Sequence, residues 1–249
     1  MAYENSIIGQ IGNTPLVEAT HLISKKGVRL FLKLEGNNPG GSVKDRPAFN
    51  MINEALKRGD IKKGGTLLTP ADIGIEGSRD LAFKLRDEKG YTLLNQFEND
   101  DNWKAHYKTT GPEVWEATNG EITHFVATMG TTGTIMGTST YLKEKNKNIT
   151  IVGAQPADGA RIPGIRKWSP EYVPKFFDRS KVDVVIDVTE EDAKATTQRL
   201  AKEEGVFAGM SSGGSVFCAL RIAEQIDEGV IVAIICDRGD RYLSSTLFE

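Results

Sequence analysis

Short apolar runs alternate with helical patterns along most of this chain, and this alternation limits its fold more than any other feature. The strand-like runs lie at residues 30–34, 66–68, 91–94, 124–129, 149–154, 182–188 and 230–236. The helical patterns lie at residues 45–58, 76–88, 111–118, 134–145, 190–203 and 215–225. Several runs are apolar throughout, as in strands that are buried on both faces. The order therefore predicts an α/β fold in which helices cover a parallel sheet.

The composition argues against several other classes of protein. The chain has 249 residues, a formal net charge of -3 and 26% charged residues, so neither nucleic acid nor an anionic membrane is an expected partner. No apolar run approaches the roughly 20 residues that cross a bilayer. Residues 1–10 lack the basic stretch and apolar core of a signal peptide. Both cysteines, Cys218 and Cys236, lie in apolar segments, so we expect a cytoplasmic protein with reduced thiols.

Lys44 lies where a strand-like run, a Gly/Pro turn and a helical pattern meet. From Lys33 to Arg46 the chain reads Lys-Leu-Glu-Gly-Asn-Asn-Pro-Gly-Gly-Ser-Val-Lys-Asp-Arg. We predict that Ser42 caps the helix, which puts Lys44 in the first turn. A helix start is electrically positive, and this favours the neutral amine that condenses with aldehydes. The alternative is an ordinary solvated lysine beside an exposed turn, since perturbed lysines are rare.

A glycine-rich turn joins the run at 124–129 to the helical pattern at 134–145. Its residues are Gly130, Thr131, Thr132, Gly133 and Thr134. Glycines let backbone amides approach a ligand closely, and a helix start favours negative charge. The turn is therefore a candidate phosphate site, although many such turns bind nothing. A nucleotide-binding protein is disfavoured, because neither a Walker-type Gly-Lys-Ser/Thr nor a Rossmann Gly-x-Gly-x-x-Gly follows a strand.

The lysine segment resembles the cofactor-lysine signature of the cysteine synthase and cystathionine β-synthase family. The matching positions are Lys33, Glu35, Pro39, Ser42, Lys44 and Arg46. Residues 8–17, which read Ile-Gly-Gln-Ile-Gly-Asn-Thr-Pro-Leu-Val, resemble that family's N-terminal signature. The resemblance implies a fold-type II enzyme that depends on pyridoxal 5'-phosphate (PLP) and has two parallel-sheet α/β domains. It also implies that Lys44 holds PLP and serves as the catalytic general base.

The same resemblance implies roles for the other candidate residues. Residues 130–134 would hold the PLP phosphate, and Ser211 would face the ring nitrogen. A hydroxyl there leaves the nitrogen largely neutral, which suits elimination of a good leaving group from the β-carbon. Residues 162–166 and 236–244 resemble the B-type cysteine synthases. In that setting Arg166 would bind an anionic second substrate such as thiosulfate, although an ordinary solvated loop arginine is an equal alternative.

The activity that the resemblance implies is that of an O-acetylserine sulfhydrylase, a PLP-dependent transferase. Such an enzyme replaces the acetate of O-acetylserine by sulfide or thiosulfate and so makes L-cysteine or S-sulfocysteine. Relatives are dimers, so we expect a homodimer. We expect no metal, because His21, His106 and His124 lack metal-ligand spacing. We also expect Asp45 and Arg46 to make structural ion pairs, and the sequence leaves open the sulfur donor and the choice of acetate or phosphate as leaving group.

The chain departs from that family after residues 66–68. The family continues there into a Ser-Gly-Asn-Thr-Gly loop that binds the substrate carboxylate, whereas this chain passes directly to Thr69 and Pro70. We therefore expect a large PLP-binding domain from residues 1–36 and 104–249, and a truncated small domain from residues 37–103. The alternative function is that of a pseudoenzyme that binds PLP and performs no turnover.

Overall fold

A computed structural model of the protein describes residues 5–62, 64 and 75–249. Within these residues the sheet consists of β1 (Leu16–Ala19), β2 (Val28–Leu34), β3 (His124–Thr128), β4 (Thr150–Pro156), β5 (Val184–Val188) and β6 (Gly229–Ile235). The helices are α1 (Asp45–Arg58), α2 (Ile75–Lys89), α3 (Asp101–Lys108), α4 (Thr110–Ala117), α5 (Gly133–Lys145), α6 (Glu190–Glu204) and α7 (Met210–Gln225).

The six strands lie in the order β1-β2-β6-β3-β4-β5. β1 is antiparallel to β2, and all the other neighbouring pairs are parallel. Side chains alternate between the two faces of each strand. Val126 accordingly packs in the apolar cluster on one face, and Phe125 and Ala127 pack in the cluster on the other. The α/β fold with a buried parallel sheet is therefore confirmed.

The carboxyl ends of β2, β6 and β3 meet at one edge of the sheet, because these three strands are parallel neighbours. The lysine segment follows β2, the glycine-rich turn follows β3, and Cys236 follows β6. In open α/β sheets, ligands bind beside the carboxyl ends of the strands. The topology thus brings together segments that are far apart in the sequence.

The structure corrects several element predictions. Two short elements, β1 and α3, were not predicted. Each is too short to show a clear periodic pattern of apolar residues, and each depends on packing against its neighbours for stability. Residues 91–94 are not a strand: they contain a single bridge residue, Thr92. A strand needs a partner for its backbone groups. The nearest predicted strand along the chain, at residues 66–68, lies outside the described residues.

Helix α7 begins at Met210, five residues before the start that we predicted at residue 215. The glycines at 213 and 214 argue against a helix because they cost free energy there. A β-carbon on Gly213 would collide with Thr197 and with the carbonyl of Ala193 in α6. Close packing of α6 against α7 therefore outweighs the poor helix propensity of glycine.

The N-terminus of α6 is capped by Thr189. Its hydroxyl accepts a hydrogen bond from the Asp192 amide at 3.0 Å, as expected for a cap.

The division into two domains stays a prediction. Every strand of the described sheet lies in residues 1–36 or 104–249, and residues 37–103 contribute α1, α2 and the start of α3. The join after residues 66–68, at Thr69 and Pro70, lies outside the described residues. None of the described helices is long and apolar enough to cross a membrane.

Candidate active site

Lys44 occupies the position immediately before α1, at the sheet edge where the parallel strands end. The preceding residues are tied to the end of β6: the Val43 amide donates to the Cys236 carbonyl at 2.7 Å, and Ser42 forms a bridge with Asp237. These contacts anchor the backbone on one side of Lys44, and α1 anchors it on the other. The lysine side chain is exposed, and the described residues offer its amine no hydrogen-bond or ion-pair partner.

The predicted capping role of Ser42 is wrong. Its hydroxyl accepts a hydrogen bond from the Lys44 amide at 3.2 Å, and the helix begins only at Asp45. Pairing with Asp237 keeps Ser42 extended, so its hydroxyl cannot reach the amides of the first helical turn. Lys44 is therefore at the mouth of α1 and not within its first turn.

One pocket at this edge brings together most of the residues that the sequence singled out. Its lining includes Lys44, Gly130, Thr131, Thr132, Thr134 and Ser211. Gly133 lies behind the lining, where a β-carbon would collide with the Asn102 side chain. The Trp168 indole nitrogen donates to the Gly130 carbonyl at 2.7 Å and holds the loop from the other side.

Thr132 is the residue of this loop that most clearly fits contact with an anion. Its backbone lies in the left-handed region, with a φ of 67°, which is unusual for a residue with a branched side chain. Its hydroxyl is buried and has no hydrogen-bond partner among the described residues. A buried polar group without a partner costs free energy, and a phosphate oxygen in the pocket would supply the acceptor. The loop, the start of α5 and the amine of Lys44 thus fit PLP.

The floor of the pocket is formed by groups that stay neutral. Ser211 is 4% exposed, near the start of α7. The Thr128 hydroxyl lies 3.3 Å from the Cys236 sulfur. Burial raises the pKa of the Cys236 thiol, so it remains protonated at neutral pH. Cys236 therefore lines the pocket as a neutral group.

Arg166 does not line the Lys44 pocket. Its amide donates to the Met129 carbonyl at 2.8 Å, and its guanidinium donates to the Ile165 carbonyl at 2.7 Å. The side chain lines an adjacent cavity together with Arg179. Thr132 borders both spaces. A role of Arg166 toward the second substrate stays a prediction.

Arg46 is the centre of a buried group of charges directly behind Lys44. Its Nε and Nη2 donate to the two carboxylate oxygens of Glu35, each at 2.7 Å. Its Nη1 donates to Glu113 at 2.6 Å, and the Lys33 amine donates to the other oxygen of Glu113 at 2.6 Å. The predicted ion pairing of Arg46 is confirmed. For Asp45 no ion pair is found among the described residues, where its carboxylate accepts from the Gly40 amide.

The charges in this group shift one another's protonation. Burial opposes ionisation of Glu113, but hydrogen bonds and charge from Arg46 and Lys33 outweigh it and lower the pKa of Glu113 to about 2. Burial likewise opposes the charge on Arg46, yet Glu113 and Glu35 raise the pKa of Arg46 above its usual value. The ion pairs of this group fix α1 to the sheet.

Two buried residues of α3 contact the glycine-rich loop, and sequence reasoning did not find them. The Asn102 amide nitrogen lies 3.3 Å from the Thr131 hydroxyl, and His106 Nε2 lies 3.3 Å from the Thr134 hydroxyl. The lack of metal-ligand spacing around His106 says nothing about this contact. The available signal was different: residues 102 and 106 are four apart, so a helix presents both on one face.

Comparison with known proteins identifies the family. The family model described as "Pyridoxal-phosphate dependent enzyme" matches residues 7–74 and 68–237. The chain belongs to this family. Cysteine synthase B of Pseudomonas aeruginosa is 46% identical over 286 aligned positions, with 96% of each chain covered. Cysteine synthase B of Escherichia coli is also 46% identical, with 96% of this chain and 94% of that protein covered.

Solved structures of such enzymes have the same fold. O-ureido-L-serine synthase superimposes with a TM-score of 0.91 at 29% identity, covering 98% of this chain and 95% of that one. O-acetyl serine sulfhydrylase isoform 3 of Entamoeba histolytica superimposes with a TM-score of 0.88 at 29% identity, covering 98% and 91%. The fold-type II assignment and the dependence on PLP inferred from the lysine signature are therefore confirmed.

The comparisons also locate an interruption in the family pattern. The two stretches that match the family model overlap at residues 68–74, so the model resumes there from a different point. The alignment with the Pseudomonas relative spans 286 positions, more than the 249 residues of this chain. That relative therefore contains internal residues without a counterpart here. This agrees with the departure that the sequence shows after residues 66–68.

Proposed function

We propose that the protein is a cysteine synthase of the B type, which replaces the acetate of O-acetylserine by sulfide or thiosulfate to make L-cysteine or S-sulfocysteine. The observation that carries the proposal is one pocket lined by Lys44, the threonine-rich loop and Ser211. The 46% identity to cysteine synthase B over nearly the whole of both chains supports it.

Lys44 is proposed as the residue that binds the cofactor covalently and moves the proton. When bound, PLP supplies an aldehyde and a ring that withdraws electrons from the substrate α-carbon. The Lys44 amine is free of side-chain partners among the described residues, so forming a bond to an aldehyde breaks no interaction of the fold. With substrate bound beside the cofactor, the Lys44 amine would serve as the general base that removes the α-proton.

The loop residues and Ser211 are proposed to hold the two ends of the cofactor. Thr131, Thr132 and Thr134 offer hydroxyl groups beside the start of α5, whose amides favour an anion. Gly130 and Gly133 allow this backbone to pack without colliding with Gly164 and Asn102. Ser211 offers the ring nitrogen a hydroxyl and no charge, which keeps that nitrogen largely neutral.

Arg166 is proposed to attract an anionic sulfur donor such as thiosulfate. The cavity that Arg166 and Arg179 line has no carboxylate among its described lining residues, so it carries positive charge. Thr132 lines both this cavity and the Lys44 pocket, so an anion bound in the cavity would lie next to that pocket.

The protein is further proposed to be a cytoplasmic homodimer in which residues 1–36 and 104–249 form the PLP-binding domain. Both cysteines are free thiols, which suits a reducing compartment. Ile7, Ile8, Ile52 and Leu56 are exposed and line one groove beside α1. An exposed apolar surface of this kind is typical of a protein contact, and sedimentation equilibrium would measure the mass of the assembly.

The direct test is to incubate PLP-loaded protein with O-acetylserine and sulfide, and to quantify L-cysteine. Thiosulfate in place of sulfide tests for S-sulfocysteine, and the Lys44→Ala variant serves as the control. We expect product from the native chain and none from the variant. PLP binding without either product would favour the alternative, a cofactor-binding pseudoenzyme that lacks the carboxylate loop.

A further inference from the structure

Helix α3 presents two buried polar side chains to the loop that faces the cofactor pocket. Asn102 and His106 are each 1% exposed, and they lie one helical turn apart. Asn102 contacts Thr131 and His106 contacts Thr134, each at 3.3 Å. Both threonines line the pocket, whereas Asn102 and His106 stand behind them. The two buried residues therefore act on any bound anion only through the threonine hydroxyls.

The direction of the Asn102 hydrogen bond is fixed by its surroundings. The Asn102 amide nitrogen lies 2.7 Å from the Gln96 carbonyl, which can only accept. This contact orients the side chain with its NH2 group toward Gln96 and Thr131. The Thr131 oxygen consequently accepts from Asn102, and its own hydrogen is left to point elsewhere. Since Thr131 lines the pocket, that hydrogen is available to a ligand.

His106 is in a position to do the same for Thr134. Burial, and then the positive charges of Arg46 and Lys44, hold the pKa of His106 well below its usual range, so the ring is neutral. A neutral imidazole has one donor and one acceptor nitrogen. Nδ1 lies 2.9 Å from the Thr110 hydroxyl, and Nε2 faces Thr134. If Thr110 donates to Nδ1, then Nε2 carries the hydrogen and donates to Thr134.

We propose that Asn102 and His106 are positioning residues that turn the hydroxyl hydrogens of Thr131 and Thr134 toward the phosphate of PLP. Both side chains donate to the threonine oxygens, so each threonine presents a donor to the pocket. A phosphate has only acceptor oxygens at neutral pH, and hydrogen bonds to a charged acceptor are stronger than those between neutral groups. This arrangement rests on PLP binding and does not depend on which amino acid is made.

The tautomer of His106 is the first test, and it needs no substitution. The chain has three histidines, so nitrogen NMR of labelled, PLP-loaded protein can resolve each ring and be assigned with a His106→Gln sample. We expect a neutral ring with the hydrogen on Nε2. A neutral ring with its hydrogen on Nδ1 would overturn the proposal for His106, because Nε2 would then accept the hydrogen of the Thr134 hydroxyl and turn it away from the pocket.

The second test compares the affinities of the apoprotein for PLP and for pyridoxal, which carries the aldehyde but no phosphate. His106→Leu removes the donor, while His106→Gln places an amide NH2 near the position of Nε2. We expect His106→Leu to weaken PLP binding at least about tenfold and to leave pyridoxal binding unchanged, with His106→Gln close to the native protein. Tenfold corresponds to about 1.4 kcal/mol.

Asn102→Asp provides an independent variant, because it replaces a donor by an acceptor at nearly constant shape. We expect it to weaken PLP binding at least about tenfold and leave pyridoxal binding unchanged. Equal weakening of both ligands, or no change in PLP affinity, would show that these residues merely pack behind the loop. Cysteine production by the native protein is measured separately, so a failure of the proposed function is distinguishable from a failure of this inference.

Discussion

The segment from Lys33 to Arg46 contributes to two neighbouring regions that differ in how their charges are paired. Behind the pocket, Arg46 is 2% exposed and bonds to Glu35 and Glu113 at 2.6 to 2.8 Å. In the pocket, Lys44 is exposed and its amine has no partner within the described part of the chain. A paired buried charge fixes the fold, whereas an unpaired amine is free to react.

The same contrast separates the hydroxyl groups of the two regions. The Thr14 hydroxyl donates to Glu35 at 2.7 Å inside the charged group. The Thr132 hydroxyl is equally buried, yet it has no partner among the described residues. Native proteins rarely leave buried polar atoms unpaired unless a ligand completes them. The comparison therefore distinguishes residues that stabilise the fold from residues whose polar atoms fit a bound cofactor.

The largest expected effect comes from Lys44→Ala. This change should abolish the covalent PLP adduct and leave the melting temperature of the apoprotein within a few degrees, because the amine has no bond to any of the described residues. Borohydride reduction followed by mass spectrometry measures the adduct. Lys57→Ala changes an exposed lysine within α1; it is the control and should keep the adduct. A full yield of reducible adduct in Lys44→Ala would show that another amine holds the cofactor.

Arg46→Met should lower the stability of the fold, which Lys44→Ala should leave nearly unchanged. Removing Arg46 leaves Glu35 buried without its cation, and breaking a buried pair in this way costs about 3–5 kcal/mol of unfolding free energy. Urea denaturation measures the loss. Arg199→Ala breaks an exposed pair with Glu203 and is the control, with a cost of at most about 1 kcal/mol. Equal costs for the two variants would contradict the division between a structural and a reactive region.

The stability of the protein should depend on pH through Glu113, a member of the same buried group of charges. The pKa of Glu113 is lowered from 4.5 to about 2 in the folded state. A lowered folded pKa contributes stability above the unfolded value and loses it as the pH falls toward the folded value. The urea midpoint should therefore drop between pH 4.5 and about 2. Glu113→Gln should flatten this drop, and an unchanged slope in that variant would count against the assignment.

Ser211→Ala should have the smallest effect. It removes one hydrogen bond to a neutral ring nitrogen, a loss of about 0.5–1.5 kcal/mol, so PLP should bind roughly two- to tenfold more weakly. The covalent adduct with Lys44 should still form. Equilibrium titration followed by absorbance measures both properties. A loss of the adduct in Ser211→Ala would mean that the serine supports the lysine and not the ring.

The sequence predicted the parts of the site that depend on local turns. Lys44 follows a Gly/Pro turn, and the loop from Gly130 to Thr134 lies between β3 and α5, so the order of residues alone indicates both. Once the strands were known to be parallel, their carboxyl ends had to meet at one edge. The pocket that joins Lys44, the loop and Ser211 follows from this topology.

The parts that were not predicted depend on contacts between distant residues. Ser42 fails to cap α1 because it pairs with Asp237 near the other end of the chain. The neutral state of His106 depends on complete burial and on the charges of Arg46 and Lys44, none of which are its sequence neighbours. Helix α7 starts early because of its packing against α6. Local patterns do not contain this information.

The measurement that tests the central claim most directly is a PLP titration of apoprotein whose mass is verified as 27.2 kDa, followed by borohydride reduction and peptide mapping. The account predicts an absorbance that saturates at one PLP per chain, and a single modified peptide that contains Lys44. Protein that stays colourless with excess PLP, or a modification at any other lysine, would contradict it.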